Sequence, residues 1–255
     1  MQEFKQKKVF GTSVIVKAAL LATVSIVLTR FFSLILPLGG LPALRVGFGS
    51  IPLIMAGMMF GPVIGGITGV VADIVGYMIN PMGGTFFPGF TVSAALYGVM
   101  AGLLFKTFKI HKMKVNFNFI NAIVMVLFGL GFFWLMISTE VLTFEGGKAI
   151  FNDTSAFPII ILMVLVTALF IAIPFAMSTR FKDTTHKVGF DKVTFAVTLT
   201  YVINALILNT LWLSIMFDQG FIAFLPGRIV AAVITIPVYT LIIYTLGRFI
   251  DLIDQ

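Results

Sequence analysis

The 255-residue chain has no cysteine and only two histidines, His111 and His186, both in basic loops, so thiol, haem and zinc chemistry have no ligands to work with. Charged residues are scarce too, at 11%, where a soluble domain carries about a quarter. No G-x-x-x-x-G-K-[ST] phosphate loop is present, and Gly47-Phe48-Gly49 is not followed by the third glycine of a dinucleotide fingerprint, so nothing in the chain is built to use ATP or NAD. A Ser, His and Asp set within the apolar segments is also lacking, because neither histidine lies there. No enzyme, metal site or organic cofactor is expected.

What is present is apolar length. Hydrophobic residues make up 59% of the chain and the mean hydropathy is +1.10. A bilayer core about 30 Å thick needs about 20 apolar residues per helical crossing. Runs between breakers place crossings at 14–36, 45–60, 62–80, 88–106, 117–139, 157–178, 193–217 and 225–248. The expectation is an all-α polytopic bundle forming one integral membrane domain over residues 1–255. The start is basic and then apolar, as in a signal peptide. The run from Val14 to Leu36 is long enough to span, however, and shows no small-residue cleavage site, so it reads as a retained first helix.

The net charge of +7 would suggest nucleic acid in a soluble protein, but membrane topology accounts for it better. With eight crossings and both termini in the cytoplasm, Lys5, Lys7, Lys8, Lys17, Lys106, Lys109, Lys112, Lys114, Arg180, Lys182, Lys187, Lys192 and Arg248 all fall on the inner side, thirteen of the seventeen basic residues. That follows the positive-inside bias of a cell-membrane protein.

A charge at mid-bilayer costs about 2.5–3.5 kcal/mol on insertion scales, so ionisable residues within spans face a cavity or a partner. Arg30 and Asp73 are such residues. In the same orientation Asn209 and Trp212 lie in the outer halves of their helices, and Arg45 and Arg228 cap helices at the outer surface. Three guanidiniums and one carboxylate on one side suit an anionic solute with a hydrogen-bonding ring. The alternative is structural: Arg30 and Asp73 pair with each other, Arg45 and Arg228 reach headgroups, and Trp134 and Trp212 anchor the interface. Three short outer loops, LPLGGLPALR, INPMGGTFFPG and MFDQGFIAFLP, are rich in Gly, Pro and aromatics and are suited to form a lid, with Phe86, Phe87, Phe221 and Phe224 as stacking surfaces. Small residues recur at Gly57, Gly61, Gly65 and Gly69, in register with Asp73, and again at Ala94, Gly98 and Gly102, which permits close helix contact.

The run RVGFGSIP, the FGP turn, the Ala72-Asp73 step and the stretch FPGFTVSAALYG, in that order and spacing, resemble the folate-type substrate-binding subunits of energy-coupling factor (ECF) vitamin transporters. NTLWLSIMFDQGFIAFLPGRIVAAVITIPV resembles the last two helices of that family, and VLTRFFSL the outer end of its first. The resemblance covers residues 14–106 and 193–248. It implies a six-helix core holding one vitamin in an outward-facing pocket under its loops, a transmembrane coupling protein, two ATPases that drive uptake, and a binding subunit that topples in the membrane to deliver its cargo. It also implies that Ala18 and Ala22 match an A-x-x-x-A face that docks on the coupling protein. Residues 107–192 depart from the pattern with two additional spans inserted after the fourth helix. Arg30, Arg45, Asp73, Phe86, Phe87, Asn209, Trp212 and Arg228 are the candidate binding residues. Folate is the expected cargo; another vitamin, or a membrane scaffold or lipid-handling role without a pocket, are the alternatives.

Overall fold

The computed structural model describes residues 11–38, 41–82, 84–145, 148–151, 154–181 and 188–250. Lys5, Lys7, Lys8, Lys182, His186 and Lys187 lie outside the described residues. Among the described residues, seven helical stretches are long and apolar enough to cross a membrane, and an eighth, α2 (Ser50–Phe60), is apolar but shorter.

Helix α1 (Thr12–Arg30) ends earlier than its apolar run. Strands β1 (Leu34–Leu38) and β2 (Leu41–Val46) follow as an antiparallel hairpin, with Ile35 opposite Arg45 and Leu36 opposite Leu44. The expected first crossing to residue 36 and second from residue 45 are therefore corrected: Pro37, Gly39, Gly40 and Pro42 break helix, and the apolar residues between them form strand. At about 1.5 Å per residue α2 is only about 16 Å long, and nine of its eleven residues are buried. It is an internal element with little lipid contact.

Gly61, at φ 93°, joins α2 to α3 (Pro62–Ile79), a left-handed turn that a Cβ would strain. Helix α4 (Pro88–Gly102) crosses both at backbone contact. A Cβ on Gly98 would lie 2.2 Å from the Gly65 carbonyl oxygen, one on Gly57 2.0 Å from that of Gly98, and one on Gly69 2.1 Å from that of Ala94. The two glycine series thus face each other, and Asp73, one step further along α3, is delivered to the same crossing.

Helices α5 (Phe117–Ser138) and α6 (Phe157–Arg180) occupy the stretch expected to hold two additional spans. A small antiparallel sheet, β3 (Leu142–Glu145), β4 (Lys148–Phe151) and β5 (Thr154–Ser155), links them. The sequence reading did not anticipate this sheet. The pair packs on α7 (Phe190–Tyr201) and α9 (Phe221–Ile250), whereas α1 packs on α2 and α3. A π-helical segment, Val202–Leu208, joins α7 to α8 (Asn209–Phe217) in one continuous span.

The hairpin, the 80–87 loop and the α8–α9 turn share one end of the bundle. Lys106, His111, Lys112 and Lys192 share the other, where the Lys192 ammonium donates to the His111 carbonyl at 3.2 Å.

Candidate binding cavity

At the hairpin end a cavity of about 330 Å³ opens between the helices, within the range of small-molecule sites. Its wall from α1 and α3 carries an ion pair: the Arg30 guanidinium lies 3.2 Å from the Asp73 carboxylate and donates as well to the Asp73 carbonyl at 3.2 Å. Both residues owe their position to small neighbours. Gly76 leaves room for the guanidinium, since a Cβ there would stand 3.0 Å from its Nε. The second carboxylate oxygen of Asp73 accepts from the Thr91 hydroxyl at 2.7 Å, from the first turn of α4. Asn80 ties the arrangement to the outer loop, donating to the Arg30 carbonyl at 3.3 Å and accepting from the Met82 N–H at 3.0 Å.

The structural alternative of a mutual Arg30–Asp73 pair is thus realised, but the pair lines an open cavity instead of a sealed core. Arg45, on β2, is exposed to that cavity. The protein mass around it and then the Arg30 cation push its pKa down, against the pull of Asp73. Two guanidiniums that line one cavity and feel each other's charge favour an anion there.

Arg228 corrects the sequence reading. It does not cap a helix at the surface but sits inside α9, 8% exposed, where its Nη1 donates to the Ala205 carbonyl at 2.7 Å. The rest of this side of the cavity is made by Tyr97, Tyr201 and Tyr239. The Tyr201 and Tyr239 rings meet edge-on at 6.0 Å, and the Tyr239 hydroxyl donates to the Gly47 carbonyl. The closely spaced glycines of RVGFGSIP allow this: a Cβ on Gly49 would lie 1.8 Å from the Thr29 hydroxyl oxygen, while the Ser25 hydroxyl bonds the Gly49 carbonyl at 2.6 Å.

Of the eight residues singled out from sequence, Arg30, Arg45, Asp73, Phe86, Phe87, Asn209 and Arg228 line one cavity. Trp212 does not. Its indole N–H bonds the Ser93 hydroxyl at 3.1 Å and its ring packs 6.0 Å from Phe87, so it backs the wall. Phe221 and Phe224 are not lining residues either; Phe224 is buried in a small cluster with Leu213. All three outer loops reach the cavity, through Leu44 and Arg45, through Met82 and Gly84 to Phe87, and through Met216 and Phe217. With Arg30, Arg45 and Arg228 against Asp73 alone, the lining carries a formal charge of +2. The sequence reading missed the three tyrosines, Thr91 and Asn80. The signal for them was no more than a polar atom within or at the end of an apolar helix.

Ala18 and Ala22 are a second correction. They are 9% and 4% exposed, on the face of α1 that packs inside this chain, so they offer no surface to another protein in this structure. The outer face of α1 instead exposes Ile15, Val16, Ala19, Leu20 and Thr23.

Residues 13–150 match the family described as ECF transporter, substrate-specific component. A folate transporter FolT from Clostridium novyi (strain NT) is 39% identical over 127 residues, which are 50% of this chain and 70% of that protein. In three dimensions the chain resembles a crystal structure of FolT bound with folic acid, at a TM-score of 0.54 and 23% identity, covering 93% of this chain and 95% of that one. At that identity the structural likeness speaks to the fold.

Proposed function

The chain belongs to the substrate-specific components of ECF transporters, and on that footing we propose that it captures folate from outside the cell for import driven by a separate ATPase module. The observation that carries this reading is a cavity with three guanidiniums, one carboxylate and a tyrosine and phenylalanine lining. Folate combines a flat heterocycle bearing N–H donors with a tail of two carboxylates. The +2 surplus matches the tail, Asp73 offers acceptors to a donor edge, and Tyr77 with Phe86, whose rings meet at 5.2 Å, offers an aromatic surface. The relative bearing the name folate transporter supports the same cargo.

In this proposal the cavity end faces outward and both termini are cytoplasmic. The lysines gathered at the opposite end, Lys106, Lys109, Lys112, Lys114 and Lys192, support that orientation. The partners are a transmembrane coupling protein and two ATPases, with docking assigned to the exposed face of α1.

The experiment is a titration of the purified chain with folate in detergent, followed by heat release or by Trp212 fluorescence. Saturable one-to-one binding without ATP is expected. Binding of a different vitamin in its place would move the cargo assignment. Failure to bind any vitamin would overturn capture and favour the scaffold reading, in which the Arg30–Asp73 pair is structural.

A further inference from the structure

The span Phe190–Phe217 contains seven residues, Val202–Leu208, in π geometry, with the Asn209 N–H bonded to the Asn204 carbonyl five residues back. Wide turns of this kind occur mostly as single turns and frequently at functional sites. Here Tyr201, Ala205, Asn209 and Leu213 all line the cavity at a strict spacing of four. In an uninterrupted α-helix, at about 100° per residue, each four-residue step overshoots a full turn by about 40°, so three steps carry a side chain about 120° off the starting face. The i→i+5 bonding of the π segment turns the chain less per residue and cancels much of that drift. It is what keeps Asn209 in line with Tyr201.

A wide turn needs support, because a carbonyl at its end loses its regular helical donor. The Ala205 carbonyl, one residue beyond the π-bonded Asn204 carbonyl, is the one that receives the Arg228 guanidinium at 2.7 Å from the adjacent α9. Asn209, which lines the cavity next to this segment, carries a buried side-chain oxygen with no hydrogen-bond partner, so that a small shift of the side chain is enough to offer it to a molecule in the cavity. A buried acceptor left unmatched is costly unless a bound molecule completes it.

We infer that Arg228 is a positioning residue: by bonding the Ala205 carbonyl it holds the 202–208 segment in its wide form, and so aims the Asn209 amide oxygen into the cavity to accept an N–H from the bound heterocycle. This deepens the capture reading and rests on the cavity being the capture site.

The absence of cysteine from the chain makes the test direct. Each residue from Ala205 to Leu213 is replaced singly by cysteine in the full-length protein, and labelling by a charged methanethiosulfonate is timed in detergent. Fast labelling is expected at Asn209 and slower labelling at the largely buried Ala205 and Leu213, in each case slowed further by folate. In an Arg228→Met background labelling at Asn209 falls at least about tenfold, the scale set by losing one charged hydrogen bond, and reactivity moves to Leu208, where a regular helix would place the facing side chain. Arg228→Lys, which keeps a cationic donor, retains the original pattern. Persistence of fast labelling at Asn209 in Arg228→Met overturns the inference. Should that variant not fold, the scan in the native background still decides, because reactivity at 205, 208 and 212 would mean that no wide turn aims Asn209. If folate slows no position while the spacing of four stands, the folate assignment fails and the positioning role of Arg228 does not.

Discussion

Arg30 and Arg228 are both buried arginines on one cavity, yet they are held by different means, the first by a carboxylate and the second by a backbone carbonyl. Removing Arg30 leaves Asp73 with an uncompensated charge in a partly buried site, a loss that in comparable pairs is about 3–5 kcal/mol. Arg30→Ala is therefore expected to lower thermal stability as well as folate affinity. Asp73→Asn keeps the shape of the side chain and should weaken folate by about tenfold or more through the lost charged acceptor, read by calorimetric titration. Thr91→Val removes the donor to Asp73 while Thr91→Ser keeps it, so only the first should weaken binding; equal affinities would show that this bond does not position the acid. At the opposite end His111 is held below its usual pKa, first by burial and then by Lys112 and Lys106. Folding then favours the neutral ring. Its contribution to stability is complete above about pH 6.5, the ordinary histidine value, and declines as pH falls toward the depressed folded-state pKa. His111→Gln should accordingly flatten the fall in melting temperature between pH 7.5 and 5.5. Arg30 and Asp73 were legible in the sequence because an ionisable residue in an apolar run demands an explanation. Tyr97, Tyr201 and Tyr239 were not, because a tyrosine in such a run is unremarkable until the fold shows which way it faces.

At the scale of elements, the glycine stripes decide how closely α2, α3 and α4 approach, and through that where Asp73 stands. Gly98→Val places its Cβ 2.2 Å from the Gly65 carbonyl oxygen, a clash with backbone that no rotamer relieves. The expected result is a melting temperature lowered well beyond that of Gly84→Val, whose nearest neighbour is 3.8 Å away. The stripes could be read from spacing alone. The hairpin of Leu34–Val46 could not, since its leucines look like helix and only Pro37, Pro42 and the two glycines between them speak against it. The alanine face of α1 was misassigned for a similar reason: a four-residue spacing of small side chains says that something comes close, without saying whether it belongs to the same chain. The sheet between α5 and α6 did have its signal, Gly146-Gly147 between LTFE and KAIF, the dipeptide that two-residue hairpin loops favour, but apolar spans on either side drew the reading to a simple loop.

At the scale of the whole molecule, apolar length marked out the seven helices long enough to cross a membrane, whereas the crossing expected at 45–60 is a shorter, buried helix whose length tertiary contacts set and the bilayer does not. No residue of α5 or α6 lines the cavity. The chain ends flanking the pair lie together, with the Phe117 N–H bonded to the Asp191 carboxylate at 3.0 Å. A chain in which a short linker replaces residues 113–188 should thus bind folate with affinity close to that of the intact protein, at some loss of thermal stability; a large loss of affinity would show that the pair shapes the site from behind. Because the pair stands against α7 and α9, it leaves the lipid-facing side of α1 uncovered for a partner. The same attachment weighs on any motion of the body. If delivery requires the subunit to roll over, the small sheet joining α5 and α6, with Glu145 and Lys148 in its strands and Glu140 just before it, has to move with the body, at about 2.5–3.5 kcal/mol for each charge carried into hydrocarbon. Such a keel would favour the upright posture and leave the energising subunits more work at each turnover.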